Sequence, residues 1–342
     1  KLLLLGAVSF LIAISWCPLL IRLLVHYRIG KHIRDSESAP IFSELHKKKS
    51  GTPTMGGIII WGTMLIVVLS CLVLSLVFPE NLLGRLNFMT RSQTLLPLGA
   101  LVASALVGLL DDYYNVRRLG PKGGGLSMAH KLGIYSLIAV VGAYWFAVKL
   151  EWDLLHIPFY GDINVGLWYV PIFFLVIVAT SHSVNLADGL DGLAGGTLLV
   201  AFAAYAAIAA MQGKQDLAVF LGVLCGALLA FLWFNINPAR FFMGDTGAMS
   251  MGVVLGILAM LTNTALLLPV IGVVFVAESV SVIIQTFYKK ILKRKLFQST
   301  PLHHHFEAIG WAEPTVVMRF WVVSMVAAAI GVVLFIADRA LY

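Results

Sequence analysis

The recurrence of long apolar runs constrains the fold of this chain more than any other feature. Ten segments offer about the 20 mostly apolar residues that a helix needs to cross a bilayer. Their approximate limits are 2–25, 56–78, 94–110, 132–149, 165–183, 193–211, 217–234, 247–263, 265–288 and 318–337. Of the 342 residues, 60% are hydrophobic and only 12% are charged, whereas about 25% of a soluble protein is charged. The sequence therefore predicts an all-α polytopic membrane protein, with residues 1–342 forming a single integral membrane domain.

The segments outside this pattern also carry information. The first run, Leu2–Leu24, is too long for a signal peptide and lacks a small-residue cleavage site, so we expect a first span whose natural start precedes Lys1. The stretch Glu151–Val165 alternates apolar and polar residues around Tyr160–Asp162, which predicts a small external β-hairpin with a structural His156. The three cysteines lie inside apolar runs, so we expect neither a disulfide framework nor a metal cluster.

Basic residues sort to one set of loops. The loops after the first, third, fifth, seventh and ninth spans, here called the odd loops, hold Arg28, Lys31, Arg34, Lys47, Lys48, Lys49, Arg117, Arg118, Lys122, Lys131, Arg240, Lys289, Lys290, Lys293, Arg294, Lys295 and Arg319. The even loops and the chain ends hold Lys1, Arg85, Arg91, Lys149, Lys214 and Arg339. The positive-inside rule therefore predicts cytoplasmic odd loops and external termini. The net charge of +7 indicates topology signals and contact with anionic membrane lipids, and no nucleic-acid patch.

The fifth loop carries the sequence NLADGLDGLAGG. Asn185, Asp188 and Asp191 recur every three residues, so a helical turn places them on one side. The glycines among them allow a ligand to approach the backbone. Carboxylates at the end of a span are costly unless they face a wet, functional surface. The alternative is a solvated connecting turn, for which Asp-Gly pairs are common.

Other odd loops repeat this carboxylate pattern. Asp111 and Asp112 directly follow an apolar run, where the helix dipole disfavours acidic side chains, so they indicate function, with a solvated span end as the alternative for one of the two. Asp245, between Gly244 and Thr246, is a candidate ligand for Mg²⁺, which prefers one or two carboxylates with phosphate oxygens and water. Lys131 is a candidate point charge for phosphate, with snorkelling as the alternative.

The remaining odd-loop candidates are weaker. The stretch Ser50–Thr52 offers hydroxyls and backbone amides at a helix start, a place suited to binding anions. Lys47 and Lys48 are expected to be membrane anchors. Phe241 and Phe242 are interface anchors, or one of them stacks on a nucleobase.

The ninth span and the loop after it add further polar side chains. Glu278 and Gln285 in that span are expected to face the bundle interior. The helix is expected to continue through Lys289–Phe297 as a basic amphipathic extension. His303–His305 lack zinc-ligand spacing and suit either a diphosphate site or a solvated turn.

The residues expected on one side of the membrane fit phosphoryl transfer, in which cations neutralise phosphate oxygens. They comprise acidic groups, a candidate Mg²⁺ site, lysines and histidines. No GxxxxGK[ST] sequence is present, which argues against ATP hydrolysis by that route. The membrane context predicts a lipid phosphate as one substrate.

The chain contains the motifs DD at 111–112, NLADGLDGL at 185–193, NxNPAxxFMGDTG at 235–247 and PLHHHFE at 301–307. Through these motifs, it resembles the polyprenyl-phosphate N-acetylhexosamine-1-phosphate transferases. The resemblance runs nearly end to end, with ten spans. The histidine tract and PTMGG at 53–57 favour the branch that transfers phospho-N-acetylmuramoyl-pentapeptide.

The resemblance implies an Mg²⁺-dependent phosphoglycosyl transferase of the bacterial inner membrane. It implies the transfer of phospho-N-acetylmuramoyl-pentapeptide from UDP-N-acetylmuramoyl-pentapeptide to undecaprenyl phosphate, giving lipid I and UMP for peptidoglycan synthesis. The implied catalytic residues are Asp111, Asp112, Asp245 (also the metal ligand), His304 and His305. The expected substrate-binding residues are Lys49, Thr52, Lys131, Asn185, Asp188, Asp191, Asn235, Phe242, Gln285 and His303. The family also implies a homodimer and inhibition by nucleoside antibiotics.

Two mechanisms and two other functions remain open at this point. The lipid phosphate attacks the β-phosphorus directly, or an aspartyl-phosphate intermediate forms first. A phosphate monoester with a second pKa of about 6 barely needs a base, which favours direct attack. A sister transferase using UDP-N-acetylglucosamine and a secondary transporter are the other functions.

Overall fold

Each of the ten predicted apolar segments contains a helix in the computed structural model, which describes residues 1–30, 49, 51–119 and 124–341. The helices in these ranges are α1 (Leu2–His26), α2 (Ile58–Val77), α3 (Leu95–Val116), α4 (Met128–Tyr144), α5 (Tyr169–Ala187), α6 (Leu193–Met211), α7 (Gln215–Asn235), α8 (Asp245–Leu261), α9 (Leu268–Ile271), α10 (Val273–Phe287), α11 (Leu302–Ala308) and α12 (Glu313–Arg339). Short 3₁₀ turns cover Gly84–Leu86 and Gly166–Trp168, and π-helical turns cover Trp145–Lys149 and Tyr288–Leu292. Lys47, Lys48, Ser50 and Lys122 lie outside the described residues.

Helix α8 lies at the centre of the bundle. It packs against α3 and α5, and every residue after Asp245 in this 17-residue helix is buried. A helix that is apolar on all sides can be enclosed by other helices or face lipid, and the burial of α8 shows that other helices enclose it. Eight of the described helices are long and apolar enough to cross a membrane, whereas α8 and the 15-residue α10 are shorter.

Glycines bring α1 and α7 into close contact. A Cβ at Gly6 would lie 2.9 Å from the carbonyl oxygen of Gly222, and a Cβ at Gly226 would overlap the carbonyl oxygen of Gly6. Small residues at such crossings allow backbones to approach closely, which is a common way to pack helices without a hydrophobic driving force from water.

The loops sort to two ends of the bundle, as the distribution of basic residues predicted. At one end, here called the even-loop end, polar contacts join even loops and chain termini: Lys1 to Asp216, His156 to Asn263, Lys214 to Leu261 and Arg339 to Met211. The polar contacts among the odd loops form the opposite end, here called the odd-loop end. Within the described residues, the polar contacts thus separate the even loops from the odd loops as expected.

The predicted hairpin is present at the even-loop end. Strands β1 (Leu154–Ile157) and β2 (Gly161–Asn164) pair antiparallel. The imidazole of His156 bridges two carboxylates, with Nδ1 at 2.7 Å from Asp162 and Nε2 at 2.6 Å from Asp338 on α12. His156 therefore fastens the hairpin to the last helix, which confirms its structural role.

Two local expectations are wrong. The helix that contains Gln285 does not continue to Phe297, because Lys293 adopts a left-handed conformation and ends it after the π-helical turn. Phe241 is not an interface anchor: its side chain is fully buried, and its ring lies 5.3 Å from that of Phe231.

The contacts of His156 give the even-loop end a pH dependence. Burial alone lowers the pKa of this imidazole, but the Asp162 and Asp338 carboxylates outweigh burial and raise it above the usual 6.5. A group whose pKa is raised on folding stabilises the fold below its unfolded pKa and loses that contribution as the pH rises through the folded value. Between about pH 6 and about pH 9, we expect the melting temperature of the wild type to fall further than that of His156→Gln. Tryptophan fluorescence in detergent measures both, and equal falls would contradict this.

Candidate active site

Asp112 joins the end of α3 to the first turn of α8. Its Oδ1 accepts a hydrogen bond from the backbone N–H of Asp245 at 3.1 Å, and its Oδ2 accepts one from Thr246 at 3.0 Å. A carboxylate in this position satisfies two N–H groups that a helix start leaves free, and it interacts favourably with the positive end of the helix dipole. Asp112 is 5% exposed. Its two hydrogen bonds hold the backbone at the start of α8, and with it the position of Asp245.

Two glycines make this contact possible. Gly108, one turn before Asp112, lies so close to α8 that a Cβ there would stand 2.5 Å from the backbone of Asp245. Gly244 has a φ of +72°, a conformation that favours glycine, and Asp112 Oδ2 occupies the space that a Cβ would take. Larger residues at either position would push α3 and α8 apart.

Lys131 in α4 lies between two carboxylates. Its Nζ is 2.5 Å from Oδ2 of Asp111 and contacts Oδ2 of Asp245. The other oxygen of Asp111 accepts from the backbone N–H of Leu126 at 2.6 Å. Asn185, near the end of α5, donates from Nδ2 to Oδ1 of Asp245 at 2.8 Å. Four helices thus bring together Asp111, Asp112, Lys131, Asn185 and Asp245, here called the carboxylate–lysine cluster.

The charge of this cluster favours a further cation. Two carboxylates contact one ammonium group, and Asp111 and the neighbouring Asp112 are 2% and 5% exposed. Carboxylate oxygens of Asp111 and Asp245 are hard donors of the kind that Mg²⁺ prefers. Within the described ranges, no group of three or more His, Cys, Asp or Glu is arranged to hold a metal ion. A metal ion at Asp245 would take its other coordinating oxygens from water and from substrate phosphate groups.

Asp191 forms a second cluster. Its Oδ1 lies 2.7 Å from Nζ of Lys49, and Glu313 at the start of α12 contacts the same ammonium. Its Oδ2 accepts from Asn237 Nδ2 at 3.0 Å and from the N–H of Ala239 at 3.1 Å. Glu313 also accepts from the Asp191 N–H at 2.9 Å. These residues form the Asp191 hub, which ties together the first, fifth and seventh loops and α12.

Asn235 ties the fifth loop to the end of α7. Its Oδ1 accepts from the N–H of Gly192 at 3.0 Å, and its Nδ2 donates to the carbonyl of Phe241 at 2.9 Å. Its side chain is buried among these partners. Asn235 therefore shapes the loops around the clusters.

Phe242 and Thr52 lie where the first loop meets the seventh. The N–H of Phe242 donates to the carbonyl of Pro53, and the N–H of Gly56 donates to the carbonyl of Phe242, both at 2.7 Å. Thr52 directly precedes this pairing and donates its N–H to the carbonyl of Lys49 at 3.2 Å. The pairing brings the Lys49 segment to the Asp191 hub.

The three histidines occupy the short helix α11 rather than a turn. His303 is fully buried, with Nδ1 at 3.0 Å from Oε2 of Glu278. Nδ1 of His304 lies 2.7 Å from Oε2 of Glu307. The ring of His305 lies 5.4 Å from that of Phe297.

Gln285 has a local role in the same region. Its Oε1 accepts from the backbone N–H groups of Leu296 and Phe297, each at 3.0 Å. Its side chain is buried, as expected for the bundle interior, and it holds the chain that returns from α10.

The expected arrangement of the fifth loop needs correction. Asn185, Asp188 and Asp191 do not share a helical face, because α5 ends at Ala187. Asn185 joins the carboxylate–lysine cluster, Asp188 follows the helix end, and Asp191 joins the hub. The loop therefore connects two clusters instead of presenting one acidic face.

Sequence reasoning missed Glu313 and gave Glu278 no role beyond facing the interior. A carboxylate at the start of a helix, as at Glu313, is ordinarily explained by the helix dipole. Its partners Lys49 and Asp191 lie far away in sequence, so no spacing pattern reveals the contact.

Two family patterns match parts of the chain that contain residues of these clusters. The sequence pattern of glycosyl transferase family 4 matches residues 94–263, and signature 1 of phospho-N-acetylmuramoyl-pentapeptide-transferase matches residues 49–60. The first match spans the carboxylate–lysine cluster and Asp191. The second spans Lys49 and the segment that pairs with Phe242.

Curated relatives cover nearly the whole chain. A phospho-N-acetylmuramoyl-pentapeptide-transferase of Chloroflexus aurantiacus is 39% identical over 345 residues, covering 97% of this chain and 89% of the relative. The protein of that name from a Geobacillus species is 41% identical, with 95% and 94% covered. The one from Rubrobacter xylanophilus is 38% identical, with 96% of both covered.

The Asp191 hub predicts a local change in hydrogen exchange. In Asp191→Ala the N–H of Ala239 loses its acceptor, and a hydrogen bond to a charged group contributes roughly 1.5–3 kcal/mol. We expect exchange at Ala239 to quicken by about tenfold or more, as measured by hydrogen–deuterium exchange with mass spectrometry. The matched control is Asp162→Ala at the even-loop end, which should leave Ala239 unchanged. Unchanged exchange in Asp191→Ala would refute the hub.

Proposed function

The chain belongs to the phospho-N-acetylmuramoyl-pentapeptide-transferase family, and from that premise we propose the following reaction. The protein transfers phospho-N-acetylmuramoyl-pentapeptide from UDP-N-acetylmuramoyl-pentapeptide to undecaprenyl phosphate, giving lipid I and UMP. The observation that carries this proposal is the convergence of Asp111, Lys131, Asn185 and Asp245 at the ends of four membrane helices. The ends of membrane helices lie near the lipid headgroups, where a lipid phosphate can approach these side chains.

The proposed metal ion is Mg²⁺, held by Asp245 with Asp111 as a second carboxylate in reach. When bound, it would supply positive charge to the diphosphate oxygens, where charge develops during transfer. The fit rests on hard oxygen donors and on an excess of negative charge around one lysine.

The chain's own residues have proposed roles around this centre. Lys131 provides a point charge for phosphate oxygens, and Asp111 and Asp112 position the lipid phosphate, the latter by fixing α8. The part of the site that binds the nucleotide is formed by Asn185, Asp188, Asp191, Asn235, Phe242 and Gln285, together with Lys49 and Thr52 from the first loop. His304 and His305 complete the diphosphate side, and His303 supports them.

The proposed step is a direct displacement. An oxygen of the lipid phosphate forms a bond to the β-phosphorus of the sugar nucleotide, and the bond from that phosphorus to the bridging oxygen breaks. UMP departs with the bridging oxygen and its electron pair. The lipid phosphate is largely ionised at neutral pH because its second pKa is about 6, so no side chain needs to remove a proton.

The proposed setting is the bacterial inner membrane. The odd-loop end faces the cytoplasm, both termini lie outside, and five odd loops of one domain build the site. A homodimer and inhibition by nucleoside antibiotics are part of the proposal through the family resemblance. The carboxylate–lysine cluster sits at helix ends and not at the bilayer midplane, which argues against a secondary transporter.

UMP release with different substrates tests the reaction directly. With undecaprenyl phosphate present, we expect release from UDP-N-acetylmuramoyl-pentapeptide and little from UDP-N-acetylglucosamine. Release from the latter alone would identify the sister activity instead. Without lipid phosphate, a stoichiometric burst of UMP would contradict direct displacement and indicate an aspartyl-phosphate intermediate.

Asp245→Asn tests the metal assignment. The variant keeps the backbone N–H groups that Asp112 binds, so we expect the fold to be kept although the charge contact with Lys131 is lost. Turnover in Mg²⁺ should fall by about 100-fold or more, because a positioned charge at the reacting group contributes several kcal/mol. Asp162→Asn is the control for an aspartate at the opposite end. Turnover equal to that of the wild type would reject Asp245 as the ligand.

A further inference from the structure

Glu278 and His303 form a fully buried pair next to the site. Glu278 lies in the middle of α10 and His303 in the first turn of α11, and both side chains are 0% exposed. Nδ1 of His303 lies 3.0 Å from Oε2 of Glu278, and the His303 backbone N–H faces the same oxygen at 3.4 Å. The carboxylate therefore accepts a hydrogen bond from the start of α11, and it lies in close contact with the ring, whose nitrogens make no hydrogen bond of their own to the described part of the chain.

The burial of this pair indicates a specific purpose. A carboxylate in the interior of a membrane bundle is costly, and such residues are kept where they pair with one another or serve a site. Replacing one partner would leave the other polar side chain fully buried without the contact that it makes in the wild type. An apolar contact between α10 and α11 would serve packing alone at lower cost.

The edge of the His303 ring that carries Nε2 lies against the backbone of the fifth loop. A Cβ at Gly189 would overlap Nε2 of His303 and lie 2.8 Å from its Cε1. Gly189 stands between Asp188 and Leu190, in the segment that connects Asn185 to Asp191. The ring thus lies between the Glu278 carboxylate, which also binds the His303 backbone, and the backbone of the fifth loop at Gly189.

The same pair sets the position of His304. The ring centroids of His303 and His304 are 4.1 Å apart, and Glu307 holds His304 from the other side. A shift of His303 would therefore move His304 as well as the fifth loop.

We propose that Glu278 is a positioning residue that acts through His303 on the fifth loop. This inference rests on the proposed function, in which that loop serves the nucleotide and Asp111 and Asp112 serve the lipid phosphate. Loss of the Glu278 carboxylate should therefore weaken the use of the sugar nucleotide and spare that of the lipid phosphate. A purely structural role would instead reduce the amount of active protein and leave both KM values unchanged.

Separate KM values for the two substrates test the inference. Glu278→Leu removes the acceptor at similar size, and we expect KM for UDP-N-acetylmuramoyl-pentapeptide to rise about tenfold, with KM for undecaprenyl phosphate within about twofold. Glu278→Gln keeps an oxygen that accepts from the backbone N–H of His303 and should keep KM for the nucleotide within about threefold. Asp338→Leu removes the buried carboxylate of the His156 contact at the even-loop end and should change neither KM.

Gly189→Ala provides a second route to the same displacement. It pushes the His303 ring from the other edge and should raise KM for the nucleotide in the same selective way, which decides the matter if Glu278→Leu fails to fold. A lower kcat with both KM values unchanged, or an equal rise in both, would overturn the inference. Absence of UMP release from the wild type with any sugar nucleotide would instead reject the proposed function.

Discussion

The bond pair between Asp112 and the first turn of α8 is the interaction on which the site depends. Helix α8 is buried along its whole length after Asp245, so its start must meet polar partners inside the bundle. Asp112 supplies them with both carboxylate oxygens, at 3.1 Å and 3.0 Å. Because this contact occupies Asp112, Asp111 on the adjacent helix position is left to face Lys131. One capping contact thus divides a pair of neighbouring aspartates between structure and proposed chemistry.

The fifth loop extends this order to the rest of the odd-loop end. Its first polar residue, Asn185, binds Asp245, and Asp191 binds Lys49 and the seventh loop. Gly189 between them rests on His303. Each of these contacts joins segments that are distant in sequence, and only a few residues of backbone separate one contact from the next. Such coupling suits a transferase that must bring a soluble nucleotide and a membrane lipid into one site.

Much of this arrangement could be predicted from the sequence. Apolar runs of bilayer length predicted every long helix, because a membrane leaves few alternatives for the backbone. The uneven distribution of lysine and arginine predicted the two ends. The carboxylates of Asp111, Asp112 and Asp245 could be selected because acidic side chains next to apolar runs are costly without a purpose. The partner of each carboxylate could not be predicted. Asp112 binds backbone, Asp191 binds Lys49, and Glu278 binds His303, and only three-dimensional proximity distinguishes these choices.

The central claim is that separate odd loops build one magnesium site at Asp245. Anomalous scattering from crystals grown with Mn²⁺ in place of Mg²⁺ tests it most directly, because Mn²⁺ accepts the same oxygen ligands. The account predicts one strong peak at the Asp245 carboxylate, next to Asp111 and Lys131. A peak elsewhere, or none at Asp245 with the sugar nucleotide also bound, would contradict it.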